Sequence, residues 1–323
     1  MKIKVNQKDL NGNIINSYES YAHAASVLGC NESTIRRASK VPNRAVFGKF
    51  KFEVDNNTTQ SDVEDTPDSP RILLLDIETS PTQAFIWKFW KENVNIDQVI
   101  SDWFMLAWSA KWLGDSKVMS SSVTSVEALS QDDSRLCAEL WMLLDAADIV
   151  VAHNGNAFDI PKIQSRFLIN GFNPPSAYRQ IDTLVIAKQQ FGFSSNKLDF
   201  IARLFNIEGK YKTGFELWSK CYAGDSEALI EMERYNAHDV EILEKVYLKL
   251  RPYMKGHPNL NMYNDTSEIT CPICNSTHLT LEEDKFFYTQ SSKFPLYRCM
   301  DCGGLSRGKK SVSNKRYISA IPK

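Results

Sequence analysis

Two carboxylates, Asp76 and Glu78, close the stretch Arg71-Ile-Leu-Leu-Leu-Asp-Ile-Glu-Thr79. The aliphatic run before them reads as a fully buried strand. Residues two apart on a strand point to the same face, so both acids leave one side of it. They do so at its C-terminal end, where open α/β sheets place their ligand crevices. Like charges that close are unfavourable unless a cation sits between them. The pair therefore points to a metal site. An exposed turn with two solvated acids is the alternative, and the buried run argues against it.

Two further groups have the residue types such a site needs. Asp148-Ile-Val-Val-Ala-His153 reads as a short buried strand, and His153-Asn-Gly-Asn-Ala-Phe-Asp159 turns from it into a helix over 160–170. Asp159 thus falls at a strand-to-helix transition, where an N-cap is the plain alternative to a ligand. The segment 228–250 has helical periodicity, with Leu229, Met232, Val240, Leu243 and Val246 as its core stripe. Tyr235 and Asp239 lie four apart on it, hence one above the other; a core tyrosine beside an unrelated acid is the other reading. A separate group is Cys271-Pro-Ile-Cys274 and Cys299-Met-Asp-Cys302. Two such knuckles form a structural zinc signature, with free thiols or a redox pair as the alternative.

The elements that must position these groups are legible in part. Ala84-Phe-Ile-Trp87 and Trp103–Trp108, continued by Ala110–Leu113, suit the second and third strands of a meander against 71–79. Residues 134–147 read as a helix with Leu136, Leu140, Leu143 and Leu144 on one face. Leu279–Glu282, Lys285–Tyr288 and Leu296–Arg298 read as the strands of a ribbon around the cysteines. Near the start, Asn11-Gly12 marks a hairpin. Ser20 can cap a helix that Gly29 stops, and Asn31 a second, basic one carrying Ser33, Thr34, Arg36 and Arg37. Two short helices around a glycine turn have helix-turn-helix form, with a helical hairpin that binds protein or only packs as the alternative. Phe47–Phe52 reads as a closing strand.

Taken in order, Asp-x-Glu, Asn-x-x-x-Phe-Asp and Tyr-x-x-x-Asp over about residues 71–252 resemble the DEDD 3′→5′ exonucleases. These belong to the ribonuclease-H-like superfamily and include the proofreading domains of family-B DNA polymerases. Tyr235 marks the tyrosine subclass; His238, adjacent to Asp239, does not fit the histidine spacing. The resemblance implies that Asp76, Glu78, Asp159 and Asp239 hold two Mg²⁺ or Mn²⁺, hard cations suited to oxygen ligands. It implies that Tyr235 orients the attacking water, a phenol being a poor base at neutral pH. It also implies that Thr79, Asn154 and Phe158 contact the terminal nucleotides, although Phe158 could be only a core anchor. Asp182 sits where relatives often have an acid, with an N-cap equally open. Lys210 and Lys212 could neutralise a phosphate or simply be solvated. His153 reads as a packed or hydrogen-bonded turn residue. The front fifty residues resemble DNA-binding helix-turn-helix modules appended to homing endonucleases.

The implied fold is α/β: a ribonuclease-H-like mixed sheet flanked by helices, with a helix-turn-helix module in front and a zinc ribbon behind. The expected divisions are 1–53, an acidic linker 54–70, the nuclease 71–255, and the ribbon with a basic tail 266–323. Charge follows them. Residues 1–52 carry nine basic against three acidic side chains, 71–265 twenty against twenty-five, and 285–323 nine against one. Basic ends around an acidic centre fit nucleic-acid contacts flanking a cation site. With seven cysteines in 323 residues, no apolar run long enough for a span and no secretory signal, the expectation is a cytoplasmic protein. A bacterial or phage-infected cell is the expected setting. The expected activity is hydrolysis of DNA 3′ ends. A ribonuclease of the same fold, or a DNA-binding recruitment factor with a vestigial core, are the alternatives.

Overall fold

The computed structural model describes residues 4–28, 32–40, 45–46, 50–54, 69–209, 211, 213–263 and 268–312. Most of the linker, Lys210, Lys212, the side chain of Arg37 and the tail beyond residue 312 lie outside them.

The front unit is an antiparallel sheet with two helices. Strands β1 (Val5–Lys8), β2 (Ile14–Tyr18), β3 (Ala45–Val46) and β4 (Phe50–Val54) lie in the order β2-β1-β4-β3. Between β2 and β3 run α1 (Tyr21–Leu28) and α2 (Glu32–Lys40). Gly12 has φ 95° at the hairpin tip, the left-handed conformation that an Asn-Gly turn supplies. Ser20 Oγ accepts from His23 N–H at 3.0 Å, starting α1 as its position predicts. Ala24, Ala25, Ile35, Ala38 and Phe52 are buried between the layers.

The central unit is organised by β5 (Ile72–Thr79). A small hairpin of β6 (Gln83–Ala84) and β7 (Val99–Ser101) follows, then β8 (Met105–Trp112) and β9 (Met119–Ser122). Helices α3 (Ser125–Ser130) and α4 (Ser134–Ala146) lead to β10 (Ile149–Ala152). Then come α5 (Asp159–Ile169), β11 (Arg179–Asp182), α6 (Thr183–Gln190), α7 (Leu198–Leu204), α8 (Phe215–Tyr222) and α9 (Ser226–Leu250). The sheet order is β11-β10-β5-β8-β9, with β11, β10 and β5 parallel, β8 antiparallel to β5, and β9 antiparallel to β8. The expected meander exists, but its strands differ from those expected. Trp103–Trp108 and Ala110–Leu113 merge into β8, and the third strand is the serine-rich β9. Residues 85–87 lie outside any strand, with their side chains in solvent. Strand β9 gave no apolar signal because its serines are held by α9, Ser120 and Ser122 hydroxyls donating to Glu233 at 2.7 and 3.0 Å.

Side-chain parity on β5 divides the core. Leu73, Leu75 and Ile77 join Leu136, Leu140, Ile160 and Ile163 of α4 and α5. Ile72 and Leu74 join Val240, Leu243 and Val246 of α9. Asp76 and Glu78 share the parity of the second set, so they face α9. A buried ion pair fixes the opposite layer. Asp133, with its side chain fully buried, accepts from Arg166 at 2.6 and 2.7 Å, Asn170 at 2.9 Å and Met105 N–H at 2.8 Å. Such a carboxylate is tolerable only because its lone pairs are met.

The last unit is a three-stranded sheet, β12 (Leu279–Tyr288), β13 (Lys293–Cys299) and β14 (Leu305–Arg307). The two pieces expected over 279–282 and 285–288 are one strand, irregular between Leu281 and Phe286. Among the described residues no helix is long and apolar enough to cross a membrane.

Candidate active site

The C-terminal end of β5 and the middle of α9 bring three carboxylates together. Oxygens of Asp76, Glu78 and Asp239 all lie within 4.8 Å of one another. Asp239 is 1% exposed, and the other two are half-buried. Three acids this close form an oxygen donor set for a hard divalent cation. Asp159 stands beside the group and outside it. It is 2% exposed, and its Oδ1 accepts the Ile77 N–H at 3.1 Å, between the two acids of β5. It is the first residue of α5 and not its cap: Phe158 holds the cap position.

Two side chains that sequence reasoning missed support the acids. Asn236 Nδ2 donates to Asp76 Oδ2 at 2.6 Å. Trp218 Nε1–H donates to Glu78 Oε2 at 3.2 Å, and its ring meets Tyr235 edge-to-face at 5.9 Å. Asn236 had a signal, lying three residues before Asp239 on the core-facing side of a helix. Around Trp218 the spacing of Leu217, Trp218, Cys221 and Tyr222 marks a helix face, but nothing local marks that face as lying beside the acids.

The turn after β10 positions the remaining candidates. Asn154 has φ 74°, and a Cβ on Gly155 would lie 2.5 Å from the Ala152 Cβ, so this tight turn requires its glycine. Asp182 braces it, accepting from Asn154 and Asn156 N–H at 3.0 Å each, and caps α6 through Leu184 and Val185 N–H. Capping and bracing therefore account for Asp182, and it stands apart from the three-acid cluster. His153 is a hydrogen-bonded turn residue, bridging the Thr183 hydroxyl and the Asn196 carbonyl. Beside it and Asn154 a cleft of about 520 Å³ includes Lys188 and Lys197 in its lining. Phe158 is 37% exposed, with Lys162 Nζ 5.1 Å from its ring centre, so it is not buried in the core. Thr79 is half-buried at the end of β5. His238 turns toward Gly209, whose carbonyl lies 3.1 Å from its Nε2, and packs on Tyr211. In the front unit, the Arg36 guanidinium lies over the Tyr21 ring at 5.4 Å.

The cysteines converge as their spacing predicts. All four sulfurs of Cys271, Cys274, Cys299 and Cys302 lie within 4.8 Å, with Cys271–Cys302 at 3.8 Å and Cys274–Cys299 at 3.5 Å. A tetrahedron with Zn–S bonds of ~2.3 Å has edges of ~3.8 Å, so the donor set fits that ion. A hydrogen bond from Cys274 lowers the pKa of the Cys271 thiol, while that of Cys274 is raised in return.

Residues 112–251 match the family model described as RNase_H superfamily, and residues 3–38 match the NUMOD1 domain. The first match includes Asp159, Tyr235 and Asp239 and starts beyond Asp76 and Glu78. The chain thus contains an RNase_H-superfamily domain and a homing-endonuclease-associated NUMOD1 domain. Among solved structures it is similar to the family B DNA polymerase from the hyperthermophilic archaeon Pyrobaculum calidifontis, at 16% identity and a TM-score of 0.44. That likeness covers 64% of this chain and 26% of the polymerase chain, so this protein spans about a quarter of the polymerase's length. No curated protein matches it.

Proposed function

We propose that the protein is a metal-dependent nuclease that hydrolyses single-stranded DNA from its 3′ end. The observation that supports this best is the convergence of Asp76, Glu78 and Asp239 within 4.8 Å at the end of a central strand. An RNase_H-superfamily match over 112–251 fits nuclease chemistry. Asp76, Glu78, Asp239 and the adjacent Asp159 would hold two Mg²⁺ or Mn²⁺. Bound there, the ions would supply Lewis-acid stabilisation of phosphate charge and make a nearby water easier to deprotonate.

The chain's own residues do the positioning. Asn236 fixes the Asp76 carboxylate, Trp218 that of Glu78, and the Ile77 N–H that of Asp159. Tyr235, held against Trp218, orients water through its hydroxyl. Thr79, Asn154 and Phe158 line the approach of the terminal nucleotides, with Lys210 and Lys212 as phosphate partners. The preference for DNA rests on the front unit, where Arg36 and Arg37 of α2 contact the duplex. One Zn²⁺ on the four cysteines holds the ribbon, closed to substrate.

The test is degradation of 3′-labelled and 5′-labelled single strands of DNA and RNA, with and without Mg²⁺. Stepwise shortening of 5′-labelled DNA, with immediate release of the 3′ label, is expected only with metal. Metal-independent activity, digestion from 5′ ends, or none on any strand would overturn the proposal, and preference for RNA would move it to a ribonuclease.

A further inference from the structure

The hairpin between β6 and β7 leaves four aromatic rings in solvent. Phe85, Trp87, Phe89 and Trp90 are 72%, 92%, 89% and 84% exposed. Rings of this size ordinarily bury ~150–250 Å² each, so a cluster left outside marks a contact surface. The hairpin is a built element. Phe85 N–H donates to the Gln98 carbonyl and Gln98 Nε2 to the Phe85 carbonyl, both at 2.8 Å. Asn95 N–H donates to Gln98 Oε1 at 2.7 Å, closing the return turn.

Its attachment ties it to the acids. The hairpin leaves the sheet just after Thr79, at the end of β5 that carries Asp76 and Glu78. On its return, the Ser101 hydroxyl lies 2.8 Å from that of Tyr222. Tyr222 is on α8, one turn from Trp218, which donates to Glu78. Trp103 continues the series toward Asp159, with Lys162 Nζ 3.7 Å from its ring centre and 5.1 Å from that of Phe158. Lys88 and Lys91 alternate with the exposed rings.

We propose that this hairpin is a stacking platform for the bases of a single-stranded nucleic acid. Exposed rings interleaved with lysines suit unpaired bases, whose π-faces stack in any sequence while the cations meet the phosphates. A duplex hides those faces. The platform deepens the nuclease proposal and rests on it for the direction in which the strand runs. A protein or lipid occupant would need no link to the acidic end of the sheet.

The test measures binding without turnover. Full-length protein, without added Mg²⁺ or Mn²⁺, is titrated onto a fluorescein-labelled oligothymidylate about 16 nucleotides long over a range of salt. The Trp87→Ala/Phe89→Ala/Trp90→Ala variant should bind at least ~10-fold more weakly at every salt concentration. Its log–log salt slope should be unchanged, since stacking releases no counterions. Trp87→Phe/Trp90→Phe should retain most of the affinity. Lys88→Ala/Lys91→Ala should instead flatten the slope by ~0.7 for each phosphate left without its cation. The rings are exposed, so the melting temperature should stay the same.

Unchanged oligonucleotide affinity in the triple variant would overturn the platform. So would an equal loss on blunt duplex. A variant that lost only self-association, or binding to anionic vesicles, would assign the surface to a protein or a lipid. The two proposals fail separately. Ring-dependent binding with no hydrolysis of any strand removes the nuclease and keeps the platform. Hydrolysis of long strands that is indifferent to the rings removes the platform alone.

Discussion

Neutralising Asp239 should stabilise the metal-free protein and abolish its response to divalent cations. The carboxylate is 1% exposed and lies within 4.8 Å of those of Asp76 and Glu78. At an effective dielectric near 20, two full charges at that separation repel by ~3.5 kcal/mol. Asp76 and Glu78 are half-buried and hydrogen-bonded by Asn236 and Trp218. Screening and those bonds reduce the repulsion to ~1–3 kcal/mol for both pairs together. Asp239→Asn removes the charge and keeps the volume, so no cavity opposes the gain. At roughly 2–4 °C per kcal/mol for a unit of this size, the metal-free melting temperature should rise by about 2–12 °C. The assay is thermal melting over a Mn²⁺ titration. Wild type should gain ~2.7 kcal/mol at a hundredfold excess over Kd, and the variant should gain nothing. A variant that melts lower without metal, or that Mn²⁺ stabilises as it does wild type, would refute the shared cation site.

Tyr235→Phe should lower the rate of DNA hydrolysis by ~10²-fold, the cost of misplacing a reacting group, with Mn²⁺ binding unchanged; a loss of metal affinity would refute its role. Metal analysis should find about one zinc per chain, and Cys299→Ser should abolish it together with amide protection over 271–307. Arg36→Ala/Arg37→Ala should weaken duplex binding and flatten its salt slope by ~0.9 for each phosphate that an arginine had neutralised. Arg135 bonds to Glu127 and holds that carboxyl down to about 2, from 4.5. Its folded value is depressed, so the stabilisation is full above about pH 4.5 and fades as pH falls toward about 2. With Arg135 over a third exposed, the pair contributes ~1 kcal/mol. Denaturant melts of Glu127→Gln should therefore differ from wild type at neutral pH and converge in acid.

What the sequence disclosed was whatever repeats with a period or a spacing. The stripe on α9 and the aliphatic run of β5 were read correctly because burial constrains neighbours at fixed intervals, and the two cysteine pairs do converge. Strand β9 and the hairpin at 83–101 were not. The strand is polar because Glu233 of α9 supplies its partners, and nothing local records a partner a hundred residues away. The hairpin failed in the opposite sense: a run of aromatic residues reads as core, yet Phe85 and Trp87 are in solvent. Asp133 was not singled out either, since its burial depends on Arg166 and Asn170, which arrive from α5.

The acids meet because two periodicities are phased against each other. On β5 the even positions Ile72, Leu74, Asp76 and Glu78 face α9, while Leu73, Leu75 and Ile77 face α4 and α5. The strand is held in register on both sides, Leu74 opposite Val151 of β10 and opposite Lys111 of β8. On α9, the core stripe passes through Val240 and Leu243, and stepping back along the same face reaches Asp239 and then Asn236. A one-residue insertion among Leu73–Leu75 would turn Asp76 and Glu78 to the other face of the sheet. The aliphatic run is therefore a ruler as well as a core, and its length decides which layer the carboxylates enter. Leu74→Ala should cost ~2–5 kcal/mol as a cavity and leave the cation site assembled. The insertion should abolish Mn²⁺ binding even if the protein still folds.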